Sequence, residues 1–176
     1  MMTSQIVIII KTFIMKYLLL VRHAEPHLNI MGQNDIDRSL NIKGECDAKI
    51  MAQKLDNKGY IPDIIISSHA NRAISTCKII AKILNYPSEN IRINKNIYYS
   101  SIEEVIGVIK NVPQKYNFLM LTGHNPTLHY LSQALTGDTI LSFDTCMMFC
   151  IQFDIEHWDR MKIGKIKFNI YPKLFK

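Results

Sequence analysis

The sequence predicts a three-layer α/β/α sandwich built on a mostly parallel sheet. Three observations carry that expectation. Apolar runs at Leu18-Leu19-Leu20-Val21, Ile64-Ile65-Ile66 and Phe118-Leu119-Met120-Leu121 read as short buried strands. Stretches with helical spacing of apolar residues separate them, and such alternation argues for a parallel sheet with helices on both faces. Each run also leads into polar or cationic residues, namely Arg22-His23, Ser67-Ser68 on the way to Arg72, and Thr122-Gly123-His124. In open α/β sheets the carboxyl ends of the strands are where ligands bind.

Taken in order, Met15-Lys16-Tyr17 is a natural start for the first strand, and 25–41 is a polar loop holding Gly32, Gln33, Asn34 and Asp35. A helix follows over 42–55, with Ile42, Cys46, Ile50 and Leu55 marking its apolar face and Ala48, Met51 and Ala52 filling in. Asn41 is its expected N-cap, and Gly59 and Pro62 close the segment. The second strand covers 63–67. A helix over 70–84 then carries Ala73, Cys77, Ile80, Ala81 and Leu84 at helical spacing, and 91–93 forms a short strand. Ser100-Ser101-Ile102-Glu103-Glu104 has the form of a capping box opening a helix to about Lys110. After the strand over 117–122, Asn125 is expected to cap, and Pro126 to begin, a helix reaching Leu135. Strands over 147–153 and 163–170 close the fold as an antiparallel pair, with Met147, Met148 and Phe149 in the core.

Composition narrows the class. The chain has 176 residues, 48% hydrophobic and 20% charged, which is ordinary for one globular domain. No apolar run approaches the ~20 residues of a membrane span, so no membrane partner is expected. The opening 1–14 lacks the basic start and the small-residue cleavage site of a signal peptide. It is expected to be an extension outside the fold, a short added strand being the alternative, and 15–176 to be the working domain. The formal charge of +6 is concentrated at the end: Arg160, Lys162, Lys165, Lys167, Lys173 and Lys176 stand without an acid, and the remaining 15 basic residues balance the 15 acidic ones. A solvated edge strand that uses lysine to block pairing accounts for this. No aromatic interleaving accompanies it, so nucleic acid is not an expected partner. Cys46, Cys77, Cys146 and Cys150 form no CxxC pair and no metal spacing with histidine, which implies reduced thiols in the cytoplasm.

The chemistry follows from residue types. Arg22, Arg72 and His124 each follow a buried strand, and the last two adjoin helix N-termini. Helix N-termini favour anions, and arginine forks match phosphate oxygens; a carboxylate is the weaker alternative. Neutral His23 could then attack phosphorus through one ring nitrogen while the other donates to a backbone carbonyl. Arg22, Arg72 and His124 would stabilise the phosphoryl oxygens. No cofactor is called for, since these side chains supply positive charge and no carboxylate cluster for Mg²⁺ is visible.

Arg22-His23-Ala24-Glu25 resembles the Arg-His-Gly signature of the histidine phosphatase superfamily, with Ala24 in the glycine place. Ser67-Ser68-His69-Ala70-Asn71-Arg72-Ala73-Ile74-Ser75-Thr76 resembles its second motif, and Gly123-His124-Asn125-Pro126 its third. The likeness runs from about Lys16 to Leu174, takes in Asp37-Arg38-Ser39-Leu40, and is strongest to the small SixA-type phosphohistidine phosphatases. It implies a phosphoglycerate mutase-like fold, His23 as nucleophile, Arg22 and Arg72 as phosphate clamp and His124 as second histidine. Asn29 occupies the place of a phosphate-contacting asparagine of mutase-like relatives, though loop structure explains it equally. Glu25 could orient a site group, act as the acid, or pair with a nearby arginine. Larger relatives carry a catalytic glutamate where this chain has Ile97-Tyr98-Tyr99-Ser100; Glu103 and Glu104 come later and read as helix-start residues. A site without a dedicated acid suits phosphohistidine, whose leaving imidazole has a pKa of about 6.5, better than an alkoxide. The expected substrate is therefore a phosphohistidine-bearing protein. A broad phosphomonoesterase of small phosphorylated substrates or a phosphoglycerate mutase-like enzyme is the alternative, and a phosphate-binding regulatory module is the alternative outside enzymes.

Overall fold

The computed structural model describes residues 15–29 and 31–175. The expected N-terminal extension over 1–14 lies outside the described residues. Six strands form one sheet: β1 (Met15–Arg22), β2 (Ile64–Ser68), β3 (Arg92–Asn94), β4 (Phe118–Gly123), β5 (Met148–Asp154) and β6 (Lys165–Ile170). Their order is β3-β2-β4-β1-β5-β6. The first four run parallel, and β5 and β6 are antiparallel to their neighbours.

Helices cover both faces of the sheet, which is why its central strands read as unbroken apolar runs. Leu18 and Leu20 of β1 and Leu119 and Leu121 of β4 pack with α3 (Ile102–Lys110) and α4 (Thr127–Thr136). Leu19, Val21, Ile65 and Met120 face the other way, onto α1 (Ile42–Asp56) and α2 (Asn71–Ile83). β6 is the other edge, and its Lys165 and Lys167 are exposed. No helix among the described residues is long and apolar enough to cross a membrane.

Two local expectations are corrected. Helix α1 has the expected cap, the Asn41 side chain accepting from the Gly44 N–H at 2.7 Å. Its buried stripe, however, is Gly44, Asp47, Ala48, Met51, Ala52 and Leu55. Ile42 is 81% exposed and Cys46 is also exposed. Gly44 sets that rotation, because a Cβ there would overlap the Glu25 carbonyl oxygen, so only glycine lets the helix rest on that backbone. The second correction concerns α4, which begins at Thr127 with no side-chain cap. The Asn125 amide instead donates to the Phe143 carbonyl at 2.9 Å. The capping box of α3 forms as expected, between Ser101 and Glu104.

Candidate active site

Three adjacent parallel strands, β2, β4 and β1, bring their carboxyl ends to one edge of the sheet. Register pairs Arg22 with Gly123, so the residues after β1 and β4 emerge side by side. His23 is held by its backbone on both sides: its N–H donates to the Gly123 carbonyl at 3.1 Å, and its carbonyl accepts from Cys146 at 3.2 Å. Its ring Nδ1 lies 2.8 Å from the Ala24 carbonyl, which can only accept. Nδ1 therefore carries the proton, and Nε2 presents a lone pair.

Arg72 stands in the first turn of α2, 6% exposed. Its Nε–H donates to His23 Nε2 at 3.3 Å. Its other two nitrogens grip Asp35, one donating to the backbone carbonyl at 2.6 Å and the other to Oδ2 at 2.8 Å. Arg22, at the end of β1, donates to the Phe143 carbonyl at 2.8 Å. The His124 ring lies 5.0 Å from that of His23, centroid to centroid, and its Nε2 is 2.8 Å from the Ser68 hydroxyl. The four residues singled out from sequence are thus brought together. Arg22, His23, Arg72 and His124 line one cavity of about 290 Å³, with Tyr98, Tyr99 and Ser100 from the segment before α3 and Asn125, Pro126 and Thr127 from the start of α4.

The cavity holds its imidazoles neutral. Burial lowers the His23 pKa from 6.5 to about 4, and Arg72, Arg22 and Arg38 add to the effect while the Ala24 carbonyl opposes it. Burial likewise lowers His124 to about 3, with His23 and Arg72 contributing. Asp35 goes the other way. Burial disfavours its charge, but hydrogen bonds from Arg38, Tyr98 and Arg72 outweigh that and hold its carboxyl well below the usual carboxylate range. The Tyr98 hydroxyl donates to Asp35 Oδ2 at 2.8 Å. Burial and that carboxylate push the phenol well up.

The remaining sequence candidates lie elsewhere. Asn29 is exposed and does not line the cavity. The Glu25 carboxylate pairs with Lys43 and accepts from the Asn41 amide at 3.0 Å, in an adjoining cleft that shares Arg22. Glu104 is committed to the capping box. Sequence reasoning missed Asp35, Tyr98 and Ser68. One signal could have found Asp35: a buried arginine needs a counter-charge, and the loop between β1 and α1 offers acids three and one residues before Arg38.

Comparison with known proteins identifies the family. Residues 18–116 match the family model for the histidine phosphatase superfamily (branch 1). An uncharacterized chloroplastic protein of Arabidopsis thaliana is 30% identical over 158 residues, covering 84% of this chain and 71% of that protein. Among solved structures, the SixA protein of Agrobacterium tumefaciens superposes with a TM-score of 0.78 at 24% identity, covering 89% of this chain and 98% of its own. A protein histidine phosphatase SixA complexed with tungstate gives 0.80 at 20% identity, covering 91% and 99%. A mycobacterial glucosyl-3-phosphoglycerate phosphatase gives 0.65 at 13% identity, covering 87% and 97%. These structural likenesses establish the shared fold. The match across 18–116 supplies the lineage that the three strand-end motifs point to, and this chain belongs to the histidine phosphatase superfamily.

Proposed function

We propose that the chain is a phosphohistidine phosphatase that passes the phosphoryl group through His23. The supporting observation is what the cavity lacks. None of its lining residues is an Asp or Glu, and both its imidazoles are held neutral. The Tyr98 proton is engaged by Asp35, and Glu25 and Glu104 are engaged elsewhere. An alkoxide leaving group needs a proton in the transition state. A phosphohistidine protonated on its free ring nitrogen does not, because it departs as neutral imidazole.

In this reading the lone pair of His23 Nε2 forms a bond to phosphorus as the bond to the leaving nitrogen breaks, and that electron pair departs with the ring. Arg72 Nε–H, which rests on Nε2, shifts to a phosphoryl oxygen. Arg22 and His124 take up charge on the others. Water then adds to phosphorus, the P–Nε2 bond breaks with its pair returning to His23, and inorganic phosphate leaves with the protons of that water. The backbone carbonyl of Ala24 keeps the ring in one tautomer throughout. The substrate carrying the phosphohistidine would be another protein, as the name of the tungstate-bound neighbour states for that protein; here this rests on analogy.

Phosphate release from a phosphohistidine peptide and from a phosphoserine peptide tests the proposal. A preference in kcat/KM of about 100-fold or more for the first is expected, the scale of a missing general acid. Acid-free quenching should trap phosphate on His23. Equal turnover of the two peptides would move the assignment to phosphomonoesters, and turnover by His23→Ala would remove the mechanism.

A further inference from the structure

We infer that Tyr99 is a stacking platform for the ring of the leaving group, so that the pocket selects phosphoryl groups carried on a planar aromatic nitrogen ring. This deepens the reading of His23 as phosphoryl acceptor and rests on it.

Tyr99 combines three features. It is 82% exposed although it lines the cavity that holds His23. Its backbone sits at φ 51°, in the left-handed region that a bulky side chain rarely adopts. It is also held from both sides. Ile97, two residues before, is 2% exposed. The next carbonyl, that of Ser100, accepts from the Thr127 hydroxyl at 2.6 Å, and Ser101 then opens the capping box. Strained backbone that its surroundings enforce is concentrated at functional sites.

The ring has a fixed support. Tyr98 lies 4.3 Å from Tyr99, centroid to centroid, at an interplanar angle of 59°. Tyr98 is anchored through its hydroxyl on Asp35, and His69 and His124 pack against it at 5.2 and 5.3 Å with interplanar angles of 80°. The support is thus tied to the carboxylate that orients Arg72.

Displacement chemistry supplies the direction. The nucleophile, 7% exposed, lies deep in the cavity, and the leaving group departs in line on the far side of phosphorus from it. That path leads out of the cavity, and Tyr99 is the most exposed aromatic among the residues that line it. A flat ring there presents a face to Tyr99, and aromatic pairs gain from offset or tilted contact beyond the area they bury. A leaving group without a ring gains nothing from it.

The test compares two phosphoramidates: a phosphohistidine peptide, and the phosphoramidate ion, which has a P–N bond and no ring. The quantity read is the ratio of their kcat/KM values. In Tyr99→Asn, where asparagine tolerates the left-handed backbone, the ratio should fall about tenfold, the scale of one aromatic stacking contact. In Tyr99→Phe it should stay near the wild-type value, because the stacking face is kept. A ratio that Tyr99→Asn does not move, whether both rates fall together or neither does, overturns the platform while leaving His23 chemistry standing. A wild-type protein inert on both compounds overturns the chemistry and the platform with it.

Discussion

Replacing His23 by asparagine should make the fold less sensitive to acid, by an amount set by how the ring is buried. Asparagine suits the test because its amide nitrogen can occupy the place of Nδ1 and keep the bond to the Ala24 carbonyl, 2.8 Å in the native protein. The His23 pKa falls from 6.5 to about 4 in the folded chain. The sign follows directly: the unfolded chain binds this proton more readily, so the stability is fully present above pH 6.5 and is lost as pH falls toward 4. At 1.36 kcal/mol per unit, the whole window spans roughly 3 kcal/mol. By pH 5 about 2 kcal/mol is gone relative to pH 8. His124 contributes in both proteins, and since His23 helps depress it, removing His23 relaxes it in the same direction. Urea unfolding of both proteins at pH 8 and pH 5 therefore gives a double difference. The native protein should lose about 2 kcal/mol more than the variant between those pH values. Equal losses, within about 0.5 kcal/mol, would mean that the ring takes up its proton as readily in the fold as in the open chain, and the picture of a desolvated, neutral His23 would fall.

Two further predictions concern the surroundings of the site. Asp35→Asn removes the charge that holds Arg72 at 2.8 Å and Arg38 at 2.8 Å. A charge-assisted bond of about 1.5–3 kcal/mol corresponds to a fall of roughly 10- to 100-fold in kcat/KM, accompanied by weaker inhibition by inorganic phosphate. Tighter phosphate inhibition would show that Asp35 competes for Arg72 instead of orienting it. Gly44→Ala places a methyl on the backbone of Glu25, which cannot swing aside, whereas Gly107→Ala meets nothing within 4 Å. Thermal unfolding should show the first destabilised by about 1–3 kcal/mol and the second neutral or stabilised by up to ~1 kcal/mol. Similar values for the two would place α1 farther from Glu25 than the structure does.

What was legible in the sequence was what each residue's own neighbourhood determines. β1, β2 and β4 are buried on both faces, so their apolar runs have no competing interpretation. Arg22 ends such a strand and His23, Arg72 and His124 follow one closely, so placing the strands nearly placed the four. Where a distant group intervenes, local pattern misleads. The rotation of α1 is set by the Glu25 backbone, and apolar spacing alone counted the exposed Ile42 as a core residue. Asn125 before a proline has the form of a cap, yet the Phe143 carbonyl, 18 positions on, takes its amide.

Asp35 shows the same limit at the centre of the site. A guanidinium has five N–H groups in one plane. Asp35 takes two of those on Arg72, from the two terminal nitrogens, with its carbonyl and its carboxylate. Holding that edge leaves Nε–H directed at His23 Nε2. The arginine is therefore aimed from the loop before α1, by an acid that stands in no motif and whose partner lies 37 residues away. Its charge has a second consequence. Arg72, Arg38 and Tyr98 all donate to it, so it stays ionised through neutral pH and offers no proton. The residue that orients Arg72 is thereby withdrawn as a general acid. On this reading, the hydrogen bonds around a single carboxylate both orient Arg72 and remove one candidate proton donor, which adds to the preference for a leaving group that brings its own proton.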